Sequence, residues 1–169
     1  MSLHHAMMGY ERKEPVLPAM AAGATNAAAT VLPFRLERQV SHLLRRAHQR
    51  ASSLFADQFA SMNLTPTQFA ILAKLHERRE VSQNHLGRMT AMDPATVQGV
   101  IRRLLARDLI AQRDDPNDRR RVLISLTDSG YAVIEDALPR ARKISELVVD
   151  SLRIEEREQL VRLLRKIAD

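Results

Sequence analysis

Twice in the middle of this chain a helix-capping residue stands directly before a proline, at Thr65-Pro66 and at Asp93-Pro94. A side-chain oxygen that accepts a backbone N–H, followed by a residue whose φ is already helical, defines where a helix begins. At the first site Gln68 completes a capping box with Thr65, predicting a helix to about Arg78 that buries Phe69, Ile71, Leu72 and Leu75. Between the two starts Ser82 can cap a shorter helix through Met89, and the second start opens a helix ending near Arg107. Two short capped helices joined by a tight turn form a helix–turn–helix.

The flanking segments complete a mainly α fold with a small β-hairpin. Leu109–Arg113 and Arg121–Leu126 are β-prone runs on either side of Asp114-Asp115-Pro116-Asn117-Asp118, whose turn residues suit a hairpin, the wing of a winged helix–turn–helix. Thr127 caps a further helix to about Asp150, with Pro139 marking a kink, and a last helix covers about Glu155 to Ala168. Upstream, apolar residues from Phe34 to Met62 recur at three- and four-residue steps, as on one face of a long helix. The flanking helices have more apolar face than one small domain covers, and a second copy of the chain is the economical partner. The expected organisation is a flexible N-terminal arm over 1–32, a dimerisation helix over 33–62, the winged DNA-binding domain over 63–127 and C-terminal dimerisation helices over 128–169.

Composition agrees and excludes several functions. Aromatic residues make up 4% of the 169 residues, and Trp is absent, favouring helix over sheet. Lys and Arg total 26 against 20 Asp and Glu, a net +6 that suits a polyanionic partner. With no cysteine, disulfides, thiolate metal sites and thiol redox sensing are ruled out. No run approaches the roughly 20 apolar residues that span a bilayer, so no membrane partner is expected and a cytoplasmic location is the default. Neither a phosphate-cradling glycine loop nor a zincin histidine pair is present. No catalysis, cofactor or metal is expected.

The residues resemble the MarR family of bacterial transcription regulators, named for multiple antibiotic resistance. The resemblance covers residues from about 34 to 168 and rests on three motifs in order. These are Leu64-Thr65-Pro66-Thr67-Gln68-Phe69, Met92-Asp93-Pro94-Ala95-Thr96-Val97, and Asp115-Pro116-Asn117-Asp118-Arg119-Arg120-Arg121 followed by Leu126-Thr127-Asp128-Ser129-Gly130. It implies a homodimer whose terminal helices intertwine and whose two winged domains face one near-palindromic duplex, commonly a repressor released by a small ligand. The run Ser82-Gln83-Asn84-His85-Leu86-Gly87-Arg88-Met89-Thr90-Ala91-Met92-Asp93, with Gln98-Gly99-Val100, is similar to regulators of nicotinic acid degradation within that family.

In a helix–turn–helix the second helix enters the major groove with its N-terminal residues nearest the bases. Here these are Pro94, Ala95, Thr96, Gln98, Gly99 and Arg102, since Val97, Val100, Ile101, Leu104 and Leu105 must face the core. Gln98 is the principal base reader, pairing bidentately with adenine; Arg102 reaches guanine or phosphate, and Gly99 permits close approach. Arg103 suits an ion pair with Asp108 as well as it suits phosphate. Arg119, Arg120 and Arg121 at the hairpin tip suit a minor groove or phosphates. The resemblance places Asp118 and Arg120 in the wing motif, where Asp118 is read as orienting an arginine through a salt bridge. Ser82, Gln83, Asn84 and His85, at the start of the first helix of the motif, offer side chains and free N–H groups to phosphates.

For an effector, the resemblance implies a crevice between the dimer helices and the winged domain. Candidates are His48 and Gln58 on the first helix, Arg45 or Arg46 as a carboxylate partner, and His76 near the end of the second, for a small aromatic carboxylate such as a hydroxylated nicotinate. Two rival readings are a nonspecific architectural DNA protein, with basic residues but no sequence preference, and a helical interaction module, which has no use for an arginine-rich wing.

Overall fold

The computed structural model describes residues 33–168; the arm read over residues 1–32 lies outside the described residues. Six helices and three strands follow in the order α1 (Val40–Phe59), α2 (Pro66–Arg78), β1 (Glu80–Ser82), α3 (Gln83–Thr90), α4 (Pro94–Leu105), β2 (Ile110–Asp115), β3 (Asp118–Leu126), α5 (Asp128–Val148) and α6 (Ile154–Ala168). The architecture is mainly α with a small antiparallel sheet, as expected.

Both proline-led starts form as the chain's chemistry dictates. Thr65 Oγ1 accepts from the N–H of Gln68 at 3.2 Å while Gln68 Oε1 accepts from the N–H of Thr65 at 3.0 Å, so each side chain satisfies a donor of the other residue. Asp93 accepts from both the N–H and the hydroxyl of Thr96, at 2.9 and 2.6 Å. Ser82 differs. It occupies the N-cap position of α3, but its hydroxyl makes no capping bond and it is buried at the end of a strand.

That strand, β1, is a correction to the reading above. It pairs antiparallel with β3, Val81 opposite Ile124, in a sheet of order β1-β3-β2. The wing strands also run further than their β-prone cores, and β3 begins at Asp118 rather than Arg121, because ladder pairing carries both strands to the turn at Pro116-Asn117. The long first helix is likewise trimmed. Short 3₁₀ turns at Leu36–Arg38 and Ala60–Met62 flank α1, and Asn63, with φ of 50°, ends the second of them in the left-handed region that Asn tolerates. Pro139 does not break α5, which runs through it to Val148.

The core lies where α2, α3, α4, the sheet and α5 meet. Ile71, Leu72, Leu75, Leu86, Val100, Leu104, Ile124 and Ile134 are fully buried there, each contributing about 1.5–3 kcal/mol of burial free energy. Phe59 joins them from the end of α1, stacked on Phe55 at 4.0 Å and met edge-on by Phe69 of α2 at 5.4 Å. At the junction of β3 and α5, Thr127 caps the helix through the N–H of Gly130 and donates its own hydroxyl to Asp108 O at 2.7 Å. A Cβ at Gly130 would collide with the carbonyl oxygen of Leu109. Glycine is required there by close backbone approach.

Outside this core the terminal helices keep apolar residues in solvent. Val40, Leu43 and Leu44 on α1, and Val161, Leu163, Leu164 and Ile167 on α6, are all exposed, and α6 buries no residue.

Candidate nucleic-acid interface

The seating of α4 decides which of its side chains can meet a ligand. Val97, Val100, Ile101 and Leu104 are buried, which leaves Pro94, Ala95, Thr96, Gln98 and Arg102 exposed and Gly99 half-buried. This is the outward set that the apolar spacing demanded. A hollow beside the helix is lined by Gln98, Gly99 and Arg102 together with Gln83 of α3 and Gln112 of β2. Arg103 is exposed, and its guanidinium lies beside Gly99, 3.6 Å from where a Cβ would stand. Of the two readings of Arg103, the ion pair with Asp108 does not form; Asp108 sits past the helix end with φ of 54°.

A second hollow lies between the start of α3 and the wing, lined by Ser82, Gln83, Asn84 and Arg88 on one side and by Arg120 and Arg121 on the other. Its polar groups are mostly donors. Among the described residues neither Arg88, Arg102 nor Arg120 forms an ion pair, so these cations are available to an anion from outside. Gln83 borders both hollows and a third, between α3 and the α3–α4 turn with Met92 and Pro94. It is the residue common to all three. His85 is exposed on α3, whereas buried Ser82 presents little beyond its edge of the hollow. The side chain of Arg119 lies outside the described part of the structure.

Two carboxylates shape the wing. Asp118 accepts from the backbone N–H of Arg120 at 3.0 Å, so it shapes the strand start. Asp115 is buried, accepts from the N–H of Asn117 at 2.9 Å and forms an ion pair with Arg121 Nε at 3.8 Å. At the base of the sheet Arg113 donates to both oxygens of Glu80, at 2.8 and 2.7 Å, and the carboxylate holds the guanidinium pKa above its ordinary value. This bidentate pair straps β2 to β1 across the middle strand.

Residues 64–122 match the MarR family. Over 137 residues the chain is 43% identical to the HTH-type transcriptional repressor NicR of Pseudomonas putida, covering 81% of this chain and 87% of NicR. The chain belongs to the MarR family. It is a winged helix–turn–helix DNA-binding transcriptional regulator. The solved structure of Bordetella bronchiseptica BpsR, whose DNA binding is regulated by 6-hydroxynicotinic acid, matches it with a TM-score of 0.78 at 42% identity, covering 81% of this chain and 98% of that one. A mutant E. coli MarR in complex with operator DNA shares the fold, with a TM-score of 0.72 over 77% of this chain and 94% of that one, at 21% identity.

Within this MarR-family face, two residues escaped the sequence reading. Arg88 follows from the period of α3, which turns Leu86 and Gly87 inward and leaves positions 84 and 88 outside. Gln112 shares a strand face with buried Ile110 and continues it past the edge of the core, beside Arg102. Strand alternation was the available signal.

The effector candidates are more scattered. Arg45 donates to Gln49 at 3.1 Å and meets His42, Arg46 is exposed, and His48 Nε2 lies 3.5 Å from the Ser52 hydroxyl. Gln58 is half-buried, its carbonyl accepting from Arg140 at 3.1 Å, and His76 meets Tyr131 edge-on at 6.1 Å. At 1.5 Å of rise per residue, His48 and Gln58 stand about 15 Å apart along α1. Arg140 and Tyr131, the α5 partners of Gln58 and His76, stand about 14 Å apart along that helix, so the five residues are not gathered into one cluster. Among the described residues no group of three or more His, Asp or Glu could hold a metal ion, and no helix is long and apolar enough to cross a membrane.

Proposed function

We propose that the chain is a cytoplasmic homodimeric repressor, without enzymatic activity, that binds a near-palindromic operator and is released by a small aromatic carboxylate such as 6-hydroxynicotinic acid. The observation that carries this reading is the 43% identity to NicR across four-fifths of the chain, joined by the 42% identity to BpsR. The exposed apolar faces of α1 and α6 support the dimer, because a second copy covers them. They also support dividing the chain into dimerisation segments at 33–62 and 128–169 around a DNA-binding domain at 63–127.

On DNA, Gln98 and Arg102 read base edges, with Pro94, Ala95, Thr96 and Gly99 in close approach. Arg119, Arg120 and Arg121 grip from the wing. Gln83, Arg88 and the neighbouring His85 contact phosphate, with Ser82 at the edge of the hollow and Asp118 shaping the strand that carries Arg120. A carboxylate ligand the size of a nicotinate takes one part of this set: Arg45, Arg46 and His48 within one turn of α1, Gln58 at the end of that helix, or His76 on α2.

Affinity for the protein's own upstream region against random duplex, with and without 6-hydroxynicotinic acid, tests the whole reading. A specificity ratio above about 10³ that collapses on adding the acid is expected. A ratio near one makes the protein an architectural DNA binder. Calorimetry showing no binding of the acid, with the ratio intact, removes the effector and leaves the regulator. Weaker acid binding in His48→Ala or in His76→Ala identifies which of these parts is occupied.

A further inference from the structure

Two arginines from different elements converge on one short stretch of backbone. Arg107, just past the end of α4, donates from Nη1 to Asn63 O at 2.7 Å and from Nη2 to Met62 O at 3.3 Å. Arg140, midway along α5, donates from Nη1 to Gln58 O at 3.1 Å and to Ser61 Oγ at 3.3 Å, while its Nη2 is held by Asp136 at 3.1 Å. The carbonyls they take belong to the end of α1 and the turn after it. Such groups lack intrahelical partners and carry the negative end of the helix dipole, so two guanidinium groups are well matched to them.

The other side of the same junction is also held. Residues 108 and 109 lie against the start of α5, through the Thr127 hydroxyl on Asp108 O and the close approach of Gly130 to Leu109 O. Arg107 thus ties the end of the recognition helix to the end of α1, and Arg140 ties that same segment to α5. Phe59, in the same segment, is packed into the core against Phe69, which leaves the segment little freedom of its own. What one of the three helices does, the others must follow.

We propose that Arg107 is a positioning residue that sets the recognition helix against the helices pairing two chains, and so sets the separation of the two recognition helices in the dimer. It does so without touching DNA. Arg107 stands about 14 Å along the helix axis from Gln98, at the end opposite to the one that leads into the groove. The proposal rests on the reading of a dimer on two half-sites and is independent of the effector.

The experiment uses the full chain and an operator duplex selected by the wild-type protein, together with versions whose half-sites are moved apart or together by one base pair. Each such step turns one half-site by about a tenth of a helical turn relative to the other. Wild type is expected to bind the native spacing best. Arg107→Met keeps the apolar stem and removes the donors, and its preference for the native spacing is expected to fall about tenfold, the scale of one charge-assisted hydrogen bond. Arg107→Lys, which can satisfy one carbonyl, should fall between them, and Arg140→Met should shift the preference in the same direction as Arg107→Met. Thermal unfolding and sedimentation confirm that each variant is a folded dimer. Equal loss of affinity at every spacing in Arg107→Met makes Arg107 a structural clamp and overturns the proposal. If wild type itself ignores spacing while binding each half-site, the two-half-site reading fails first and the proposal falls with it.

Discussion

The recognition helix and the wing address the same ligand from opposite kinds of support. Helix α4 is seated by four buried aliphatic side chains and sealed at its start by Asp93, so Gln98 and Arg102 project from a rigid base. The wing has almost no core. Residues Ala111 to Asp114 of β2 and Asp118, Arg120 and Arg121 of β3 are exposed, and shape comes from the ladder, the buried Asp115 and the Arg113–Glu80 strap. Rigid placement suits hydrogen bonds that distinguish one base from another, whereas a guanidinium gripping phosphate tolerates a mobile mount. The helix is built to discriminate and the wing to hold.

The largest effect comes from removing what the two regions share. Gly130→Ala drives a Cβ into Leu109 O, at the point where α4 gives way to β2, and is expected to destabilise the domain by about 3 kcal/mol. Helix and wing should fail together in one thermal transition, with DNA binding lost at the same temperature. A variant with unchanged Tm would show that the junction can yield, and the contrast between the regions would need another origin.

Next comes Gln98→Ala, expected to lose about 1–3 kcal/mol of discrimination at a single base pair while the salt dependence of binding stays as in wild type. Arg120→Ala should do the reverse. It should weaken binding to every duplex alike and reduce the slope of log affinity against log salt by about one. Competition binding over a panel of single-base operator variants at several salt concentrations reads both. Uniform weakening by Gln98→Ala, or altered base preference from Arg120→Ala, would erase the division between reader and grip.

The division was already visible in the residues, though unevenly. Both proline-led starts, and the outward set on α4, are local patterns: a cap needs three neighbours, and helical period needs a dozen. What could not be seen depends on partners far along the chain. Glu80-Val81-Ser82 is a strand only because β3, more than thirty residues later, pairs with it, and once in that strand Ser82 no longer caps α3. The Asp115–Arg121 pair forms only because the hairpin buries Asp115 and brings the two strands together. Arg107 and Arg140 look like surface charges because their acceptors are backbone carbonyls, which every residue has. The effector residues were the hardest to place, since periodicity marks a face of α1 but not the second chain that covers it.

The smallest effect sharpens what seals the recognition helix. The hydroxyl of Thr96, and then its N–H, stabilise the ionised carboxylate of Asp93 and lower its pKa below the ordinary 3.8. A carboxyl whose folded pKa is depressed adds stability that is complete above its unfolded value and is lost as pH falls through the folded one. The Tm gap between wild type and Asp93→Ala should therefore be constant above about pH 5 and close as the pH falls below 4. Asp93→Asn keeps an acceptor for the N–H of Thr96 but cannot titrate, so its own Tm gap over Asp93→Ala should hold steady across the same range. If the wild-type gap also holds steady, the cap acts through its oxygen alone, and the rigidity of α4 owes nothing to the charge. If it closes, the reading helix carries a carboxylate held ionised at its own N-terminus, aligned with its dipole, while on the wing Arg120 has no ion pair among the described residues and is open to phosphate.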